Sequence, residues 1–191
     1  MGNGGISRID VIMQTKLFYA LLFVATTAMA QEKITTKTGK ITFEASVPAF
    51  EEVKGTNSSV TCVLNPSTGD IASLALMKGF NFKIALMEEH FNENYAESDK
   101  YPKATFRGKI QNFDVSALSA TPKDYTIKGK LEMHGKTKEI TAPAKISKSD
   151  AGIEIISNFT VTTDDFGIDI PSVVRSKVSK NVNIHSEFTL K

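Results

Sequence analysis

Tyr125-Thr126-Ile127-Lys128-Gly129-Lys130-Leu131-Glu132-Met133, followed at once by His134-Gly135-Lys136, is the stretch on which the fold turns. Apolar or small residues occupy every second position (Tyr125, Ile127, Gly129, Leu131, Met133), and polar residues stand between them. This is the period of a β-strand with one face on a core. On a helix the same spacing would scatter the apolar groups around the whole circumference. His134-Gly135-Lys136 is a tight reversal, with glycine free to take positive φ, and alternation resumes over 138–147.

The same rhythm extends outward in both directions. Ile41, Phe43, Ala45 and Val47 alternate with Thr42, Glu44 and Ser46, and Val182, Ile184, Ser186, Phe188 and Leu190 form another such series. Similar runs occupy 58–65, 103–112 and 153–164, with turns at 65–70 (Pro66, Gly69) and at Asp150-Ala151-Gly152. Many short strands with such turns predict an antiparallel sandwich or barrel. Residues 71–80 are apolar on both phases, which predicts a strand covered on both sides. From 84 to 95 the spacing changes: Ile84, Met87, Phe91 and Tyr95, with Leu86 beside them, mark one helical face opposite Glu88, Glu89, Asn92 and Glu93. That helix should end before Pro102 and either plug a barrel end or cover the 71–80 strand. Residues 167–181, with Pro171, Arg175, Lys177 and Lys180, predict a long irregular loop.

Composition narrows the function classes. The chain has 191 residues, 41% hydrophobic and 23% charged, the balance of a soluble globular protein. Its 23 basic and 21 acidic residues give a net charge of +2, so nothing points to nucleic acid as a partner. A single cysteine, Cys62, rules out an intrachain disulfide and a cysteine-built zinc site, and is expected to be a small buried hydrophobe. Residues 1–30 read as a leader and cleaved signal peptide. Met13-Gln14-Thr15-Lys16 supplies the basic segment and a possible start, Leu17 to Val24 the apolar run, and Ala28-Met29-Ala30 the cleavage signal. The uncharged run after Lys16 falls short of the roughly 20 residues of a membrane span. Residues 31–191 are then expected to form one periplasmic or secreted domain without a membrane span.

Chemistry-bearing motifs are sparse. His90 lies on the proposed helix, and His134 and His185 fall on polar strand phases, which predicts surface or end-of-barrel histidines. H-x-H, H-E-x-x-H and G-x-S-x-G are absent. Asp165-Phe166-Gly167 lacks the remainder of a kinase signature and reads as a strand-end loop, and Asp164, Asp165 and Asp169 as a solvated acidic turn. No catalytic residues, metal site or cofactor are therefore assigned. The candidate site is the barrel interior, with Phe43, Met77, Phe82, Met87, Phe91, Tyr95, Phe106, Tyr125, Met133, Phe159 and Phe188 as its lining. Small inward residues (Ala45, Ala75, Gly108, Gly129, Ala142, Ala144) fit a hollow barrel and a solid one equally well. Two other readings stand beside a barrel that holds a ligand: an enzyme on a substrate kept in the same cavity, using His90 with Glu88 or Tyr95, and a filled barrel acting through its surface as a stress or assembly partner.

Three motifs occur in order: His90-Phe91 with Lys100-Tyr101-Pro102-Lys103-Ala104-Thr105-Phe106; Gly129 to Ile140, containing His134-Gly135-Lys136-Thr137-Lys138; and Asp165-Phe166-Gly167-Ile168. Over about residues 34–190 the chain resembles the YceI-like family of secreted bacterial proteins. The resemblance implies an all-β, antiparallel, lipocalin-like barrel of about eight strands with one short amphipathic helix. It also implies a hydrophobic lumen for a polyisoprenoid or other long-chain lipid, a periplasmic location, no catalytic residues and a possible homodimer. Departures from the family pattern lie at 94–99, which is more polar than usual, and at Phe91, where leucine is common. The first strand lacks the histidine that many members carry near its end.

Overall fold

The computed structural model describes Glu32–Lys191, which form one compact unit. The signal-peptide reading concerns residues outside this span.

Nine antiparallel strands make one sheet: β1 (Ile34–Ser46), β2 (Lys54–Leu64), β3 (Asp70–Leu76), β4 (Asn81–Phe82), β5 (Lys103–Ile110), β6 (Lys123–Met133), β7 (Lys136–Ser149), β8 (Gly152–Thr162) and β9 (Val178–Leu190). The two-residue β4 only folds back on β2. The other eight pair in sequence order, and β9 and β2 both pair with β1, which closes an up-and-down barrel with no free edge. Each alternating run seen in the sequence is one wall strand, with one phase turned to the barrel interior and the other to solvent.

The stretch that decides the fold behaves as its pattern demands. β6 and β7 are continuous in register from Lys123↔Ile146 to Met133↔Lys136. They are joined by His134 and Gly135 alone, both at positive φ (52° and 71°), the primed hairpin turn that matches strand twist. A Cβ at Gly135 would stand 2.9 Å from the Tyr101 ring, so this turn also needs glycine for space.

One end of the barrel is solid. Leu64, Ile110, Ile146, Ile153 and Leu190 are buried there, with Phe113, Val115 and Leu118 packed onto the same cluster from the β5–β6 connection. At the other end stand the β1–β2 connection (47–53), a helix and the 163–177 segment. The helix runs from Ala85 to His90 (α1) and widens into a π turn at Phe91–Tyr95, marked by the bond from the Ala96 N–H to the Phe91 carbonyl at 2.8 Å.

Two expectations need correction. Residues 71–80 are not one doubly covered strand. β3 stops at Leu76, a 3₁₀ turn (Met77–Gly79) follows, and Leu74 and Leu76 point outward, Leu76 being 58% exposed. The apolar run reflects a change of backbone at its middle: the buried Asn57 side chain donates to the Leu76 carbonyl at 2.9 Å, where the ladder ends and the turn begins. The irregular loop is also shorter than expected, since β9 already starts at Val178.

Candidate functional site

Between the solid end and the mouth lies an almost wholly apolar cavity of about 390 Å³. Its wall is the inward phase of the strands, among them Ile41, Phe43 and Ala45 on β1, Phe106 on β5, Leu131 and Met133 on β6, Ile140 and Ala142 on β7, and Phe159 and Val161 on β8. The volume falls within the range of roughly 300–1,000 Å³ typical of small-ligand sites.

How the wall stays hollow is visible at Gly108 and Gly129. They are direct partners across β5 and β6, and the Phe106 ring lies on them, 2.6–2.7 Å from where a Cβ of either would be. A ring flattened against the backbone lines the cavity instead of filling it. At the mouth, Phe43, Phe80, Phe82 and Phe91 form one cluster with ring centroids 5.1–6.0 Å apart, which seats the helix on the barrel rim. Offset and tilted rings at such distances add attraction beyond burial alone.

Ten of the eleven residues proposed from sequence stand on the cavity wall: Phe43, Met77, Phe82, Met87, Phe91, Tyr95, Phe106, Met133, Phe159 and Phe188. Tyr125 does not. It lies near the start of β6, at the solid end, where its ring packs on Phe113 at 5.9 Å. Its phase is inward as expected, but the capping connection already fills the interior at that level. Sequence reasoning missed Ile168, Ile170 and Val174, which reach the cavity from the segment read as loop, and Phe50 from the β1–β2 connection. Their one signal was the apolar i, i+2 pair Ile168 and Ile170, interrupted by Pro171.

The mouth carries the polar lining groups Glu51, His90 and Lys177. The Glu88 carboxylate accepts from the Phe82 N–H at 3.0 Å, a structural bond that holds β4 to the helix. Among the described residues no side-chain hydrogen bond or ion pair links His90 to Glu88 or Tyr95, the residues of the enzyme reading.

His134 stands at the mouth end of the barrel, with its side chain only 11% exposed. Nδ1 lies 3.0 Å from the Phe166 carbonyl oxygen and Nε2 2.7 Å from the Glu97 carboxylate, with the Tyr101 ring 4.4 Å away. Beside it Lys138 donates to Asp165 at 2.6 Å, which holds that carboxyl below the usual carboxylate range. The three sequence motifs therefore meet at one corner of the mouth, where they tie the helix end, the β6–β7 turn and the 163–167 turn together. Asp164 is likewise paired, with Lys180 at 2.9 Å, so the acidic turn is held by lysines. His185 is on the outer phase as expected and bonds Asn158 and Glu187. Cys62 is buried, and desolvation pushes its thiol up to about 12, which leaves it protonated and inert.

Among the described residues no group of three or more His, Cys, Asp or Glu side chains could hold a metal ion, and no helix is long and apolar enough to cross a membrane.

Solved structures share this architecture. A polyisoprenoid binding domain from Saccharophagus degradans implicated in plant cell wall breakdown superposes with a TM-score of 0.71 at 13% identity, covering 83% of this chain and 97% of that one. BcnA of Burkholderia cenocepacia gives 0.65 at 18% identity, covering 80% and 94%. A YCEI protein of Campylobacter jejuni gives 0.57 at 21% identity, covering 76% and 89%. At these identities the likeness establishes the fold. No curated protein sequence matches the chain. The model of the YceI-like domain matches residues 29–190, nearly the whole barrel together with the corner where its motifs converge, and on that match the chain belongs to the YceI-like family.

Proposed function

We propose that this protein is a non-enzymatic carrier that holds one long-chain lipid, a polyisoprenoid or similar amphiphile, in the barrel cavity, and that it acts in the periplasm or as a secreted protein. The single observation that carries the reading is the cavity itself: an almost wholly apolar hollow of about 390 Å³ in a closed barrel, with its acidic and basic lining groups at the mouth. Burying an apolar chain there gains roughly 0.8 kcal/mol per methylene. Ordering of the chain and of the mouth offsets much of this, so area alone sets no affinity. Met77, Met87 and Met133 suit the role, because unbranched thioethers adapt to different chain conformations. One similar structure is described as a polyisoprenoid binding domain, which supports the same ligand class. The amphiphile's head would stay at the mouth near Glu51, His90 and Lys177.

The test is mass spectrometry of protein purified from its native source without detergent. A co-extracted long-chain lipid, lost from a Met133→Asp variant that still folds, is the expected result. Consistently empty protein that also refuses added lipid would defeat the proposal.

A further inference from the structure

Deep in the cavity is a polar feature that burial of a tail does not use. Ser157 on β8 and Ser186 on β9 are direct antiparallel partners, and both stand on the cavity wall. They are only 5% and 6% exposed. Each is one inward step nearer the mouth than an apolar floor residue of its own strand, Ile155 and Phe188. The Ser157 hydroxyl donates to the Pro143 carbonyl at 2.7 Å, which leaves its lone pairs open. Among the described residues, the Ser186 hydroxyl makes no hydrogen bond at all. That hydroxyl is open to the cavity and has no partner in the protein; a polar group turned to an apolar hollow is costly to cover with hydrocarbon, and alanine, which serves on the same wall at 45, 75 and 142, would avoid that cost. The ionisable lining groups Glu51, His90, His134 and Lys177 all sit on mouth segments, so nothing at the serine layer would balance a charge.

We propose that Ser157 and Ser186 form a subsite for an uncharged carbonyl or hydroxyl group borne at the inward end of an apolar chain, the end away from any head that stays at the mouth. Ser186 donates to the carbonyl oxygen, and Ser157 accepts from a hydroxyl. The inference rests on the carrier reading and adds to it a preference for one chemical class of chain.

The experiment is displacement of an apolar fluorescent dye from delipidated protein by a long-chain methyl ketone, the primary alcohol and the alkane of equal length. Wild type is expected to favour the ketone over the alkane by roughly two- to tenfold, the worth of one neutral hydrogen bond. Ser186→Ala should erase that preference by lowering ketone affinity relative to alkane affinity, and Ser157→Ala should lower affinity for the alcohol more than for the ketone. Equal ketone and alkane affinities in wild type, or a ketone preference that survives Ser186→Ala, would overturn the subsite and leave the carrier reading standing. Failure of dye, ketone, alcohol and alkane alike would overturn both.

Discussion

The two ends of this barrel are built from the same strands and nearly the same amino acids, yet one is solid and the other hollow. At the solid end Ile110, Ile146 and Leu190 are 0–1% exposed, and the connection bearing Phe113, Val115 and Leu118 packs onto them. At the mouth the strands also present large apolar residues, among them Phe43, Leu131, Met133 and Phe159, but the covering elements arch over the opening and contribute wall. Met87, Phe91 and Tyr95 do so from the helix, and Ile168, Ile170 and Val174 from the 163–177 segment. What distinguishes a core from a binding site here is therefore the lid, more than the strand composition. A short connection fills; a helix seated on a phenylalanine cluster spans.

The contrast has a large energetic signature. Ile146→Ala should cost about 2–5 kcal/mol, because it opens a void in close packing. Met133→Ala, at a site already facing empty space, should cost less than half as much in ligand-free protein. Urea unfolding of both variants checks this, and equal losses would mean that the mouth end is packed like the floor.

A smaller effect tests the corner that closes the mouth. Lys138 holds the Asp165 carboxyl below its ordinary range, the hydrogen bond from Lys138 being the main cause. A carboxyl lowered on folding contributes stability that is present above its unfolded value, about pH 4, and is lost as pH falls through the lower folded value. Wild type should therefore lose more stability than Asp165→Asn as the pH is taken below about 4, in thermal melts compared across that window. Parallel melting curves would show that the pair does not couple to folding.

The smallest effect is at Cys62, on the inward phase of β2 in the solid half. With its thiol pushed up to about 12 by burial, it should ignore a thiol reagent in native protein and react fully once urea unfolds the barrel. Native labelling at the unfolded rate would show that this half opens readily.

The walls were legible in the sequence because closure of the barrel makes alternation compulsory. The Tyr125 to Met133 run, its partner after His134-Gly135, and the strands ending at Ser46 and Leu190 all declare their inward phase. The strand residues of the lining, apart from Tyr125, were legible for the same reason, whereas Phe50, Ile168, Ile170 and Val174, on connecting segments, were not. Phase tells which way a side chain points but not how far along the barrel the interior is filled, and the filling comes from a connection whose docking is a tertiary event. What His134 bonds was not legible, on similar grounds. The hairpin turn was plain, but its partners Glu97 and Phe166 lie 37 and 32 residues away, and no local pattern brings them together. Leu74 and Leu76 misled because an outward leucine and a buried one look alike in one dimension; the turn anchored by Asn57 decides between them.

The central claim is that the mouth half of the barrel is a hollow open to an apolar chain. Titration of delipidated protein with a fluorescent long-chain fatty acid tests it most directly. The account predicts saturable uptake of one molecule per chain, abolished by Met133→Asp and left intact by Tyr125→Phe. Absence of saturable uptake by folded wild-type protein, or uptake indifferent to Met133→Asp, would contradict it.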